Sequence, residues 1–72
     1  MKSVLIYTSA SCPFCVRAQG LLDSKNVQYH KISVDGRPDL RQEMMTKAGQ
    51  RTVPQIWIGD RHVGGCDDLF AL

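Results

Sequence analysis

Two cysteines separated by two residues, Cys12-Pro13-Phe14-Cys15, constrain the fold of this chain more than any other feature. They follow a short apolar run at residues 4–7 and precede a segment with helical periodicity. Pro13 suits the first position of a helix, which leaves Cys12 at the cap position before it. Apolar residues then recur at the i, i+3 and i+7 spacing of one helix face, namely Cys15, Ala18 and Leu22. We therefore predict that a strand passes into a helix here, with Cys12 at the solvent-facing cap and Cys15 on the inward face.

Length and composition predict one small globular domain over residues 1–72. Of the 72 residues, 43% are hydrophobic and 22% are charged, which excludes disordered and collagen-like chains. No apolar run approaches the roughly 20 residues of a membrane span or the roughly 7–15 residues of a signal-peptide core. The net charge of +2 is too small to favour nucleic acid. We therefore expect a cytoplasmic protein that has neither a nucleic-acid nor a membrane partner.

The order of the predicted elements is β-α-β-α-β-β-α. The first two strands should pair in parallel, because a helix joins them as a crossover connection. Gly49 should end the second helix, and Gly59-Asp60 should form a two-residue hairpin between the last two strands. The predicted fold is α/β, with a four-stranded mixed sheet and a short last helix. The predicted elements span residues 2–7, 13–25, 28–34, 38–48, 55–58, 61–64 and 66–72.

The close cysteine pair favours thiol–disulfide chemistry. A thiol attacks a disulfide only as a thiolate, and the unpaired N–H groups at a helix N-terminus favour that anion. A spacing of three at a helix start puts Cys15 one turn from Cys12, close enough to form a disulfide. Cys12 is therefore the expected nucleophile and Cys15 the resolving thiol. The alternative is a zinc site of Cys12, Cys15, His62 and Cys66, although the long gap before His62 exceeds usual zinc-finger loops and we expect His62 to face solvent.

Three motifs occur in order along the chain: Cys-Pro-Phe-Cys at 12–15, Thr-Val-Pro at 52–54 and Gly-Gly-Cys-Asp-Asp at 64–68. With these motifs the whole chain resembles a glutaredoxin, specifically a small bacterial dithiol glutaredoxin of the glutaredoxin 3 type. The resemblance implies a thioredoxin-like fold and a glutathione-dependent thiol–disulfide oxidoreductase. It implies action on disulfide-containing or glutathionylated proteins through Cys12 and Cys15. We expect a monomer, because the active cysteine of a redox carrier must stay accessible. Glutathione is then a co-substrate, and no metal or prosthetic group is bound.

The same resemblance implies where glutathione binds. A cis bond between Val53 and Pro54 would leave the main chain of Val53 to pair with the cysteinyl part of glutathione, as in β-augmentation. Residues 64–68 would hold the γ-glutamyl end, and Arg51 and Arg41 would meet the glycyl carboxylate. The full expected set of glutathione-binding residues is Pro13, Phe14, Arg41, Arg51, Thr52, Val53, Pro54, Gly65, Cys66, Asp67 and Asp68, with no metal ligand.

Three departures from the family pattern stand out. Ser9 occupies a position where family members commonly carry Lys or Arg, a cation that would favour the thiolate. Phe14 replaces the usual Tyr and keeps its aromatic surface, and the last helix is expected to be shorter than the family's. Two further alternatives also stay open. One is an electron donor reduced by thioredoxin reductase, which would not need the glutathione site. The other is a [2Fe–2S] carrier, which Pro13 disfavours by analogy with the family.

Overall fold

A computed structural model describes residues 3–72 as a four-stranded sheet with helices packed on both faces. In chain order the elements are β1 (Val4–Thr8), α1 (Pro13–Ser24), β2 (His30–Ser33), α2 (Pro38–Ala48), β3 (Gln55–Ile58), β4 (Arg61–Gly64) and α3 (Cys66–Phe70). The strand order is β2-β1-β3-β4. β1 pairs in parallel with β2 and antiparallel with β3, which pairs antiparallel with β4. The predicted element order and mixed sheet are therefore confirmed.

The register of the sheet brings four connecting segments to one end of it. The end of β1 pairs with the end of β2, through Thr8 and Ser33, and with the start of β3, through Tyr7 and Gln55. The end of β4 lies beside the same part of β3. The turns that follow β1, β2 and β4 therefore meet the turn that precedes β3, and the cysteine pair begins at this end.

The core has two parts because neighbouring strand residues point to opposite faces of the sheet. The first core cluster lies under α1 and α3 and consists of Val4, Ile6, Ala18, Leu22, Ile56, Cys66 and Leu69. The second core cluster lies under α2 and consists of Tyr7, Val34, Met44 and Trp57. The adjacent residues Ile6 and Tyr7 fall in different clusters, which explains why the apolar run in β1 is continuous rather than alternating.

Five predicted element ends were wrong by one or two residues, among them the end of α1, which lies at Ser24 rather than at residue 25. β1 ends at Thr8 rather than Tyr7, and its predicted start at Lys2 lies outside the described residues. β2 covers His30–Ser33 rather than 28–34, because it is an edge strand whose pairing with β1 begins opposite Leu5. α3 ends at Phe70 rather than at residue 72. Within residues 3–72 no helix is long and apolar enough to cross a membrane.

The predicted turns are confirmed. Gly49 ends α2 in the left-handed conformation, at φ 69°, and its N–H donates to the carbonyl of Met45. Gly59, at φ 61°, begins the turn between β3 and β4. Both positions favour glycine because a Cβ atom makes this backbone region costly.

Candidate active site

Cys12 caps the N-terminus of α1, as predicted, and its sulfur faces the turn before β3. Its backbone is extended, at φ −100° and ψ 111°, and its Sγ accepts a hydrogen bond from the N–H of Cys15 over 3.3 Å. The thiol donates to the carbonyl oxygen of Val53 over 3.5 Å. The side chain is half-buried rather than fully solvent-facing. A backbone N–H at a helix start is thus in place to donate to the Cys12 thiolate.

Cys15 lies behind Cys12 on the inward face of α1. It is completely buried, together with Ala18 and Leu22, as the helical spacing predicted. Burial raises the pKa of the Cys15 thiol, because a thiolate is poorly solvated there, although a hydrogen bond with Thr8 opposes the shift. Both cysteines are free thiols in this structure. The arrangement pairs one accessible sulfur with one sheltered thiol.

A carboxylate fixes the turn that carries Cys12. The Asp35 carboxylate, in the turn after β2, accepts from the Ser9 hydroxyl at 2.6 Å and from the Ala10 N–H at 2.8 Å. These two bonds, the Ser9 hydroxyl bond above all, lower the pKa of the Asp35 carboxyl, and the charge of Arg41 adds to the effect. The Ser9 carbonyl in turn accepts from the Cys12 N–H at 3.3 Å. Ser9, at the position where the family commonly carries a cation, here bonds an anion.

A groove of about 230 Å³ opens beside the cysteine pair. It is lined by Phe14, Gln50, Thr52, Val53, Pro54, Gln55, Gly65, Cys66, Asp67 and Asp68. The Val53–Pro54 peptide bond is cis, as the resemblance implied. Because the Cys12 thiol contacts the Val53 carbonyl, the groove and the sulfur share one wall.

The turn between β4 and α3 forms the opposite wall, and glycine is required there. Gly64 has φ +117°, and a Cβ atom built on it would collide with the Asp68 carboxylate. That carboxylate accepts a hydrogen bond from the Gly65 N–H at 3.0 Å. A Cβ atom on Gly65 would lie 3.4 Å from the Pro54 carbonyl oxygen, so the two walls approach closely. The Asp67 side chain is exposed on this wall.

Eight of the eleven residues expected to bind glutathione line the groove. Three do not: Pro13, Arg41 and Arg51. Pro13 is exposed at the first turn of α1. Arg41 is half-buried on α2, where its charge acts on Asp35. Arg51 is exposed and lines a separate depression with Met45, Gly49 and Gln50.

Sequence reasoning missed Gln50, Gln55 and His62. Gln50 and Gln55 line the groove, and Gln55 accepts a hydrogen bond from His62, at 2.7 Å between Oε1 and Nε2. The expectation that His62 faces solvent was wrong, because its ring also lies 4.7 Å from that of Trp57. The sequence signal that could have identified Gln55 is a polar residue at the first position of the otherwise apolar strand β3. No group of three His, Cys, Asp or Glu residues among residues 3–72 could hold a metal, so the four residues of the zinc alternative are not brought together.

Comparison with known proteins agrees with this geometry. The glutaredoxin family model matches residues 4–63. The chain belongs to the glutaredoxin family. A glutaredoxin of Pseudomonas aeruginosa is 60% identical over 72 residues, which cover 100% of this chain and 86% of that protein. Glutaredoxin 3 of Escherichia coli K12 is 50% identical over 72 residues, covering 100% of this chain and 87% of that protein.

The fold is also that of solved glutaredoxins. The crystal structure of a buckwheat glutaredoxin–glutathione complex matches with a TM-score of 0.87 at 30% identity, covering 97% of this chain and 66% of that chain. The resemblance drawn from the three motifs and the thioredoxin-like fold are thus confirmed. As a glutaredoxin, the protein is a thiol–disulfide oxidoreductase.

Proposed function

We propose that this glutaredoxin reduces glutathione mixed disulfides and protein disulfides, with Cys12 as nucleophile, Cys15 as resolving thiol and glutathione as co-substrate. One observation carries the proposal. The half-buried Cys12 sulfur accepts a hydrogen bond from the Cys15 N–H and contacts the Val53 carbonyl on the wall of the groove of about 230 Å³. The Cys12 sulfur is therefore the candidate nucleophile, it accepts a hydrogen bond that stabilises its thiolate, and it borders a surface that can bind a ligand.

The first reaction uses Cys12 alone. The Cys12 thiolate attacks the glutathione sulfur of a mixed disulfide, so that a bond from Cys12 to glutathione forms and the target leaves as a thiolate. The thiolate of a second glutathione then attacks the sulfur of the bound glutathione. This step releases glutathione disulfide and regenerates the Cys12 thiolate, so that one free glutathione is consumed for each mixed disulfide reduced.

The second reaction uses both cysteines. Cys12 first forms a mixed disulfide with the target protein, and the Cys15 thiolate then attacks the Cys12 sulfur and displaces the target thiolate. Because burial raises the pKa of Cys15, this resolving step should accelerate as the pH rises. Two glutathione molecules reduce the resulting Cys12–Cys15 disulfide.

The groove suits the parts of glutathione. The main chain of Val53 is proposed to pair with the cysteinyl unit, and Phe14, Thr52 and Pro54 to enclose it. The buckwheat glutaredoxin seen in complex with glutathione supports this choice of ligand. The backbone N–H of Cys66 is proposed to meet the γ-glutamyl carboxylate, and Gly65, which has no side chain, to let the ligand approach.

Charge complementarity suggests partners for the γ-glutamyl ammonium and the glycyl carboxylate of glutathione. Asp67 is exposed and suits the γ-glutamyl ammonium better than Asp68, which already accepts from the Gly65 N–H. The glycyl carboxylate is left to the exposed guanidinium of Arg51, next to Thr52 in the chain. We further propose that the protein works as a monomer in the cytoplasm, on disulfide-containing or glutathionylated proteins.

A comparison of two cysteine variants tests this proposal. With a glutathione mixed disulfide as substrate, Cys12→Ser should show no turnover above background, whereas Cys15→Ser should retain turnover. With a protein disulfide, both variants should fail. For the parent, the rate on the protein disulfide should rise more steeply between about pH 7 and 9 than the rate on the mixed disulfide, because only the former needs the Cys15 thiolate. A folded parent with no glutathione-linked turnover would refute the proposal.

A further inference from the structure

Gln55, the first residue of β3, ties the groove wall to the neighbouring strand. Its side chain is completely buried. Its Nε2 donates towards three oxygens: the Thr52 carbonyl at 3.0 Å, the Thr52 hydroxyl at 3.2 Å and Gln50 Oε1 at 3.2 Å. Its Oε1 lies 2.7 Å from Nε2 of His62, on β4. One amide therefore connects two groove-lining residues to a residue outside the groove.

The orientation of this amide determines which atom of His62 carries a proton. The Thr52 carbonyl can only accept a hydrogen bond, so the NH₂ group of Gln55 must face it. The Gln55 oxygen must then face His62, and Nε2 of His62 must donate. A neutral ring protonated at Nε2 and an imidazolium both meet this requirement.

The donor is needed because the amide oxygen is cut off from water. Within the described part of the chain every buried side-chain nitrogen and oxygen has a hydrogen-bond partner. Without the His62 donor, the Gln55 oxygen would be buried and unpaired, which is costly. A rotated amide would instead turn its oxygen towards the Thr52 carbonyl, where two acceptors repel. The rotated amide releases Thr52 and Gln50 from their present positions, and the cost of an unpaired oxygen favours that rotation.

The His62 ring is itself held by aromatic packing. Its centroid lies 4.7 Å from that of Trp57, with 32° between the ring planes. Trp57 is buried and meets Tyr7 edge to face at 5.4 Å. The second core cluster therefore sets the place of the ring, and the ring sets the orientation of the amide.

We propose that His62 is a positioning residue that acts through Gln55 to hold Thr52 and Gln50 on the groove wall. It thereby governs how tightly the groove holds a bound glutathione moiety, without changing the intrinsic reactivity of the Cys12 sulfur. This inference rests on the proposed function, because it concerns the same groove.

The test measures an equilibrium in a Cys15→Ser background, in which the mixed disulfide at Cys12 is not resolved. In a buffer of glutathione and glutathione disulfide, the Cys12 thiolate attacks the disulfide. A Cys12–glutathione bond forms, the bond between the two glutathione sulfurs breaks, and one glutathione leaves as a thiolate. Mass spectrometry of the acid-quenched protein gives the modified fraction. The same measurement with 2-mercaptoethanol and its disulfide reports on the sulfur alone, because the hydroxyethyl group has no γ-glutamyl or glycyl part to occupy the groove.

Two substitutions of His62 separate the donor from the ring. His62→Phe keeps an aromatic ring against Trp57 but removes the donor, and His62→Gln removes the ring but keeps a donor. We expect His62→Phe to lower the glutathione equilibrium constant about three- to tenfold, the effect of losing roughly one hydrogen bond, and to leave the 2-mercaptoethanol constant unchanged. His62→Gln should recover most of the loss. Gln55→Glu, which keeps an oxygen for His62 but loses both amide donors, should lower the glutathione constant as His62→Phe does.

Each other result has a defined meaning. Equal losses with both disulfides, an unchanged constant in His62→Phe, or a His62→Gln variant as weak as His62→Phe would overturn the positioning role. If the parent background shows no preference for glutathione over 2-mercaptoethanol, the proposed function itself fails. A cooperative urea unfolding transition, followed by far-ultraviolet circular dichroism, establishes that each variant is folded.

Discussion

At the scale of single residues, Gly64 shows how one backbone angle shapes the groove. It combines a φ of +117°, which residues with a side chain rarely adopt, with a position where a Cβ atom would displace the Asp68 carboxylate. Gly20 in α1 provides the contrast, because its own Cβ position meets nothing within 4 Å. Substitution by alanine should therefore change the free energy of unfolding in opposite directions at the two glycines.

Gly64→Ala should lower the free energy of unfolding by about 1–3 kcal/mol, since the new Cβ atom meets Asp68 and the backbone region is unfavourable. Gly20→Ala should raise it by about 0.5–1 kcal/mol, because alanine favours the helix interior. Urea unfolding of the three proteins measures both changes. Equal stabilities of the parent and Gly64→Ala would show that this turn accommodates a side chain.

Single-residue roles divide into those visible in the sequence and those that need the fold. Cys12 and Cys15 were assigned from spacing alone, because a helix start and an apolar periodicity determine which sulfur is accessible and which is buried. The partnership of Gln55 and His62 was not predicted. The two-residue turn at 59–60 fixes the pairing of Trp57 with His62, but the irregularity between Ile56 and Trp57 and the burial of the Gln55 side chain are visible only in the fold.

At the scale of elements, the turn after β2 supports the turn after β1. The Asp35 carboxylate accepts hydrogen bonds from the Ser9 hydroxyl and the Ala10 N–H, and both bonds favour its ionised form. The pKa of Asp35 is therefore lower in the folded protein than in the unfolded chain, where it is about 3.9. Folding stability from this group is present above the unfolded pKa and is lost as the pH falls through the folded value.

Asp35→Asn should thus destabilise the protein at neutral pH, and the difference from the parent should shrink as the pH falls below about 4. Denaturant unfolding at a series of pH values measures the difference. Ser9→Ala supplies the matched control in a double-mutant cycle, because it removes the donor and leaves the acid in place. Parallel stability curves for the parent and Asp35→Asn, or no coupling between the two substitutions, would contradict this role.

The elements themselves were largely predictable, and their ends were not. Pro13 and Pro38 mark the starts of the two long helices because proline suits the first helical position. Gly49 and Gly59 mark turns because the backbone there has positive φ. β2 was predicted too long because Tyr29 and Val34 extend its apolar pattern on either side, whereas its ladder with β1 covers only His30–Ser33.

At the scale of the whole molecule, the sheet divides the core into two clusters that are covered by different numbers of helices. Two helices, α1 and α3, cover the first core cluster, whereas only α2 covers the second. Met44 is the one residue of α2 that is completely buried. The attachment of α2, and with it the packing around Trp57, therefore depends heavily on one side chain.

Met44→Ala should lower the free energy of unfolding by about 2–5 kcal/mol, the cost of a cavity at a fully buried site. That is a large part of the roughly 4–11 kcal/mol expected for a domain of this length, so the variant should be partly unfolded in modest urea. Met45→Ala, at a half-buried neighbour on the same helix, should cost less and is the matched control. Trp57 is the only tryptophan and belongs to the same cluster as Met44, so its fluorescence follows this face, while circular dichroism follows all helices. Coincident transitions would show that the two clusters unfold together, whereas an earlier fluorescence transition in Met44→Ala would show that α2 detaches first.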